Sequence, residues 1–451
     1  EFSSFFTSDI WNHWLYGEII KHEKSINITP LKTAVDATFN KERKSLNSVV
    51  KKTIKNILKS SINKFSTKLT KIDYFFIHSL IGEQWRMDIS LSQSPTFWES
   101  PRVQHFDVDL HRRDAIKLEM RVDNDFEFLL LKLIPKQIPA YYLEGYTALV
   151  KATDEISWPK NPKVIITASA HNSDDFFKIW AADKVEKGTK LVISQHGGHF
   201  GVGKWSFLES HEMAIAYRYF SWGWSNKNYK NIIPMPSAHL LPNAHSLKVN
   251  PKGNLLLVLA CLPRYSYWMY SIPVASQFSL YCKDQIKFVQ SLDEGIQTKL
   301  KVRFYMHDYG WDQLLRYKSI IDKTESEFPN SKKSMTQSIN ESRLYVATYN
   351  ATTFLETLSA NFPTIIFWNP KFWEIREEAE ADFERLREVG ILHDSPESAA
   401  DKVESIWSNV EDWWGEPTLQ NVVSQFCKKY ARTSPEFLAE WKKELVSLAD
   451  E

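Results

Sequence analysis

From residue 163 onward the chain alternates short, apolar, β-rich runs with helical stretches, and this alternation restricts the fold more than any other feature. The runs are Val164-Ile-Ile-Thr, Leu191-Val-Ile-Ser, Leu255-Leu-Leu-Val-Leu, Val302-Arg-Phe-Tyr, Leu344-Tyr-Val-Ala and Thr364-Ile-Ile-Phe. Strands this continuously apolar need cover on both faces, and helices between successive strands provide it, so the pattern predicts βαβ units and parallel sheets. At 451 residues the chain exceeds one ordinary core, and two large lobes are expected. The breaker-rich segment Pro234-Met-Pro-Ser-Ala-His-Leu-Leu-Pro-Asn-Ala-His, followed by Pro251-Lys-Gly, reads as their connection. The expected division is a helical N-terminal region at 1–90, an N-terminal α/β lobe at 91–248, a C-terminal α/β lobe at 249–425, and a C-terminal helix at 426–451 that packs back on the first lobe.

In the N-terminal region Val50, Ile54, Leu58, Phe65, Leu69 and Ile72 recur at mostly helical steps, interleaved with lysines. This basic helix, 49–72, suits peripheral contact with anionic lipid headgroups, although a solvated helix face explains the same lysines. Lys plus Arg total 56 against 55 Asp plus Glu, a net charge of +1, which argues against a nucleic-acid partner. Only three cysteines occur, with no C-x-x-C pair, so neither a disulfide framework nor a cysteine zinc site is expected. No apolar run reaches the length of about 18 residues that spans a bilayer, and the first residues lack the order of a signal peptide. The expected setting is the cytoplasm, with peripheral contact at the inner membrane. The chain does not begin with Met, as expected of a trimmed chain.

One segment mimics a phosphate-binding loop. Gly198, Gly203 and Lys204 in Ser194-Gln-His-Gly-Gly-His-Phe-Gly-Val-Gly-Lys-Trp have G-x-x-x-x-G-K spacing. The next residue is Trp205, where such a loop places the Ser or Thr that ligates magnesium. Indole cannot serve that purpose, so the glycines are expected to shape a cleft between the lobes. Gln195, His196, Gly197 and Gly198 follow one strand while His171 follows its neighbour, so two polar loops converge on one sheet edge as an acceptor side. His196 is the candidate general base. His199 and His211 read as surface or helix residues.

Residues 344–367 read strand, polar turn, helix, turn, strand. A turn at the carboxyl end of a parallel strand is where ligands bind, and the following helix aims its free N–H groups there. Asn350, Thr352 and Thr353 fall at that helix start, with Glu356 on the same side one turn inward. The helix is expected to end at Asn361, which tolerates a left-handed backbone, before Pro363. Arg303-Phe-Tyr-Met-His-Asp-Tyr-Gly-Trp delivers His307 and Asp308 to the same edge, and Arg264 opens another loop there. Arg264 is a candidate for a donor phosphate or carboxylate, and His307 for donation to a phosphate or leaving group.

Glu356-Thr-Leu-Ser-Ala-Asn-Phe-Pro-Thr-Ile resembles the Glu-Ala-x-Ala-x-Gly-x-Pro-x-Ile signature of GT-B glycosyltransferases, with Asn361 in place of Gly. Those enzymes have two facing Rossmann-like lobes. More narrowly, His196-Gly-Gly and the Arg303–Trp311 segment are similar to a bacterial family of surface-carbohydrate transferases. The resemblance covers most of 160–415 and implies an α/β fold of two Rossmann-like lobes, with Glu356 on the donor's ribose and Arg303 and Asp308 on the donor side. It also implies a nucleotide-sugar as substrate with no further cofactor and no metal, and a glycan or glycolipid acceptor. A nucleotide-sugar epimerase or polyol-phosphate transferase on the same fold, or a non-catalytic glycan-binding scaffold, stand as alternatives.

Overall fold

The computed structural model describes residues 19–20, 73–81, 106–156, 158–264, 269–321, 325–327 and 333–451. The basic helix 49–72 and most of the expected helical region lie outside them. Two all-parallel sheets organise the rest. The first contains β1 (Tyr74–Phe76), β2 (Val164–Thr167), β3 (Lys190–Ser194), β4 (Arg218–Ser221) and β5 (Ile232–Pro234), side by side in that order. The second contains β6 (Asn254–Val258), β7 (Leu300–Arg303), β8 (Glu325–Glu327), β9 (Ser342–Ala347), β10 (Thr364–Phe367) and β11 (Leu392–His393), ordered β11-β10-β9-β6-β7-β8. This is an α/β fold of two Rossmann-like lobes, the GT-B arrangement.

Five of the six apolar runs read from the sequence form strands or strand cores, while of Val302-Arg-Phe-Tyr only Val302 and Arg303 lie in β7, with Phe304 and Tyr305 beyond its end. The strands not so read are short or broken. Tyr74-Phe-Phe lies inside the stretch expected to be helical, yet its three buried aromatic residues form β1 against β2. Aromatic residues fit a pleated, covered surface, and this pairing joins segments far apart in sequence. β5 occupies the start of the expected lobe connection and ends at Pro234. Pro is tolerated there because β5 is an edge strand.

The second sheet has a topological switch point. The chain runs from β6 outward to β8, then returns to β9 on the other side of β6. Ligands bind outside the carboxyl ends of strands at such a reversal. Here those ends are tied together: Thr348 Oγ1 donates to the Val258 carbonyl at 2.8 Å, while the Tyr281 hydroxyl lies 2.6 Å from Thr348 Oγ1 and accepts from Ala260 N at 2.8 Å. The Thr352–Ser359 helix starts directly beyond β9. It stops where expected, with Asn361 left-handed at φ 53° and Trp414 Nε1 donating to its carbonyl at 3.0 Å.

The lobes are laced by the chain's end. The Pro417–Tyr430 helix packs on the second lobe, Phe426 against Phe354 and Tyr430 against Phe383. The chain then crosses back, with Arg432 N donating to Trp222 O at 3.0 Å and Ser237 N to Arg432 O at 2.7 Å. The expected helix at 426–451 is thus the end of one helix, a crossing, and a second helix, Phe437–Asp450. The alternation of side chains along β2 explains why that last helix fits the first sheet. Ile165 faces the main core, whereas Val164 and Ile166 face the other way and are covered by Phe437, Trp441, Leu445 and Leu448.

Trp441 is 2% exposed, packs edge-on to Phe220 and donates Nε1 to Pro236 O at 3.0 Å. Trp441→Ala should therefore cost about 3–5 kcal/mol in urea unfolding, the usual range for emptying a buried aromatic site.

Candidate functional site

The carboxyl ends of the two sheets meet at the glycine loop after β3. Gly198 N donates to Thr352 Oγ1 at 3.1 Å, placing the first lobe's loop against the first residue of the second lobe's helix. A Cβ on Gly198 would lie 2.6 Å from Ala351 O and 2.7 Å from Leu355 Cδ1, so only glycine permits this approach. Gly203 is equally confined, since a Cβ there would lie 2.2 Å from the His199 ring. The loop does not cup a phosphate with its Lys204, whose ammonium pairs with Glu374 at 2.9 Å. It forms a lobe contact instead. Arg376 donates from Nη2 to Gly203 O at 2.9 Å and to Glu209 Oε1 at 2.7 Å, and the other Glu209 oxygen accepts from Gly201 N at 2.6 Å.

Gln195 clamps the base of the loop. Its Oε1 accepts from Trp222 N at 2.9 Å and Trp224 Nε1 at 2.8 Å, and Nε2 donates to Gly197 O at 2.7 Å. His196 follows with its side chain 28% exposed. Its Nδ1 is the buried nitrogen, without a hydrogen-bond partner and 3.5 Å from Glu212 Oε1, so the accessible part of the ring is the opposite edge. The same Glu212 oxygen lies 3.0 Å from His171 Nε2. His171 is 4% exposed and thus shut off from the crevice that its loop borders. Burial pushes the Glu212 carboxyl up to about 8 and His171 down to about 4. Burial also lowers His196, against the opposing pull of Glu212. The cluster therefore rests in neutral forms.

On the second lobe no side chain caps the Thr352–Ser359 helix. Thr353 Oγ1 donates to the Tyr349 hydroxyl at 3.0 Å, and burial, with Glu356 and Tyr305 nearby, raises that phenol to about 12. Asn350 is 1% exposed, and neither its amide nitrogen nor its amide oxygen has a protein partner. An unsatisfied buried polar group costs roughly 1–3 kcal/mol, and here two such atoms lie beside an uncapped helix start. Glu356 pairs across the lobes with His239 Nε2 at 3.2 Å, and that imidazole stacks on Trp222.

The remaining candidates divide. His307 is exposed in an aromatic group with Tyr305 and Tyr309. Arg264, also exposed, donates to Gly310 O at 3.2 Å and lies over Trp311. Asp308 accepts from Asp312 N at 2.9 Å and Gln313 N at 2.6 Å, which commits its carboxylate to shaping its own turn. Arg303 is paired with Glu327 at 2.8 Å and donates to Ser338 Oγ at 2.8 Å, so its guanidinium is held at the β7–β8 flank. Among the described residues no group of three His, Cys, Asp or Glu side chains is placed to hold a metal ion, and no helix is long and apolar enough to cross a membrane.

Sequence reasoning missed Glu209, Glu212, His239 and Arg376, and left His199 as a surface or helix residue. His199 Nε2 in fact lies 3.0 Å from Trp205 O and its ring packs on Tyr270. A weak signal existed for Glu212, an acidic residue among the apolar positions Leu208, Met213 and Ile215 of one helix.

The profile of the LIC12162 family transferases matches residues 1–445. No curated protein matches the chain at a significant level. Among solved structures, a glycosyltransferase from Rickettsia africae is 10% identical with a TM-score of 0.39, covering 75% of this chain and 86% of that one. HepE of Anabaena, solved with UDP and glucose, is 10% identical with a TM-score of 0.39, covering 84% of this chain and 100% of that one. MurG of Acinetobacter baumannii is 9% identical with a TM-score of 0.36, covering 73% and 82%.

Two measurements check the geometry. Gly198→Ala should leave each lobe folded by circular dichroism yet lower turnover, because the new methyl meets backbone of the opposite lobe. The neutral Glu212 predicts a pH trend. Its folded pKa lies above the ordinary 4.5, so the native state holds a proton that the unfolded chain releases, and stability is lost as pH rises through that interval. Relative to the wild type, Glu212→Gln should gain stability steadily from pH 4.5 to about 8 in denaturant titrations. An ionised Glu212 would give no such gain.

Proposed function

The chain belongs to the LIC12162 family of transferases, and on that premise we propose that it moves a glycosyl group from a nucleotide-activated sugar to a surface glycan or glycolipid in the cytoplasm. The observation that carries this reading is Asn350, whose buried amide lacks partners beside the uncapped start of the Thr352–Ser359 helix. Free backbone N–H groups, the positive end of the helix dipole and an unpaired amide together suit a phosphate.

In this scheme the donor phosphate sits at Asn350, Thr352 and Thr353, and Glu356, steadied by His239, holds the ribose. The acceptor hydroxyl attacks the anomeric carbon as its proton passes to the accessible nitrogen of His196. The bond from that carbon to the phosphate oxygen breaks, and the nucleotide leaves with the electron pair. The helix start and His307 stabilise that charge, with Arg264 at the rim. Fixed dipoles and cations meet the developing charge, so the scheme calls for no metal. Arg303 and Asp308, held by their own partners, support the donor side by shaping its loops. Gly197 and Gly198 keep the acceptor edge close to the donor.

A thermal-shift screen of CMP, UDP, GDP, ADP and dTDP tests the reading. A ligand present at 100 times its Kd raises stability by about 2.7 kcal/mol. At least one nucleotide should shift the melting temperature, and Asn350→Leu should abolish that shift. His196→Ala should keep it while kcat falls by roughly 10²–10⁴-fold. No shift with any nucleotide would favour a non-catalytic glycan-binding scaffold.

A further inference from the structure

We propose that Glu212 is a positioning residue for His196: it fixes the imidazole tautomer that carries its proton on Nδ1 and so leaves the crevice-side nitrogen able to take the acceptor's proton. This rests on His196 as the base in the reaction above, and it adds a residue that no motif marks.

The geometry begins with burial. Glu212 is 0% exposed, on the Phe207–Ile215 helix beneath the first lobe's polar loops. Its Oε1 faces His171 Nε2 at 3.0 Å and His196 Nδ1 at 3.5 Å, so one oxygen is shared by two imidazoles from two different loops. The other groups facing this cluster are few. Tyr219 on β4 lies beside the carboxyl. Glu209 precedes Glu212 by one turn and is paired with Arg376. Lys178 and His211 act on His171 from the Asp175–Glu186 helix and the Phe207–Ile215 helix. The backbone of Ala168 also acts on the His196 ring, and Glu212 is the one carboxyl among these groups that stands 3.5 Å from its Nδ1.

A histidine can act as a base only through a nitrogen that has no proton, and the acceptor at its other nitrogen decides which one that is. His196 Nδ1 is buried without a hydrogen-bond partner, and Glu212 Oε1 stands 3.5 Å from it; a proton on Nδ1 directed at that oxygen leaves the exposed edge of His196 its lone pair. His171 holds that oxygen from behind, and its own Nδ1 is buried without a partner. A neutral carboxyl is sufficient for this function, because a carbonyl-type oxygen accepts hydrogen bonds in either ionisation state. Ionic attraction is not required. The arrangement follows the logic of a base oriented by a third group, built here with a shared oxygen.

The distinguishing experiment uses selectively labelled ¹⁵N-histidine in the full chain without ligand. Wild type should show the His196 Nδ1–H tautomer. Glu212→Leu should move His196 toward the other tautomer, whereas Glu212→Gln, which keeps an oxygen at the same place, should retain Nδ1–H. In turnover assays Glu212→Leu should lower kcat by on the order of 10²-fold or more at similar KM and displace the acidic limb of the kcat/KM–pH profile, and Glu212→Gln should recover most of that loss. An unchanged tautomer in Glu212→Leu, or a glutamine variant no better than the leucine one, would overturn the assignment. The tautomer is read without donor or acceptor, so absence of glycosyl transfer would count against the proposed reaction and leave this test standing.

Discussion

The close approach of Gly198 to the start of the Thr352–Ser359 helix governs the rest of the molecule. A single hydrogen bond, Gly198 N to Thr352 Oγ1 at 3.1 Å, sits where a methyl group would meet backbone at 2.6 Å. The bond itself contributes little, about 1 kcal/mol for an ordinary pair. Its importance is geometric. It sets the loop at the carboxyl edge of one parallel sheet against the helix start at the carboxyl edge of the other.

Around this contact the lobes share polar and ionic links beside an apolar cluster to which both contribute, with Phe200, Val202 and Trp224 from the first lobe and Leu355, Trp373 and Ile375 from the second. Arg376 reaches from the second lobe to Gly203 O and Glu209, Glu356 meets His239, and Lys204 meets Glu374. The Arg376–Glu209 pair is buried, and such pairs are weak sources of net stability but costly to break on one side only, whereas the exposed Lys204–Glu374 pair contributes little. They define one preferred arrangement of the lobes. The chain's final crossing, from the Pro417–Tyr430 helix to the Phe437–Asp450 helix, closes the structure with apolar packing on the far face of the first sheet.

Two kinds of buried polar group result. Glu212 and His171 share one contact, Oε1 to Nε2 at 3.0 Å, and rest neutral, as desolvation requires of titratable groups removed from water. The Asn350 amide has no protein partner and lies beside free helix N–H groups. The first kind orders side chains inside the protein; the second is suited to a ligand from outside. In the proposed reaction the first kind would handle the proton and the second would hold the anion.

The sequence by itself determined the strands that are continuous and apolar, and through them the parallel sheets, because burial on both faces is written into each run. It also determined the Thr352–Ser359 helix and its end, since Asn361 and Pro363 act through local backbone geometry. It brought His196, Asn350 and Thr352 to sheet ends for the same local reason. Tertiary structure decided what those residues touch. Glu212 lies 41 positions from His171, and no spacing rule connects a helix glutamate to a loop histidine across a folded core. The same holds for Arg303, whose guanidinium is committed to Glu327, and for Tyr74-Phe-Phe, which becomes a strand only beside β2. Periodicity records which faces are buried; the partner within a buried face is chosen by packing between segments distant in the chain.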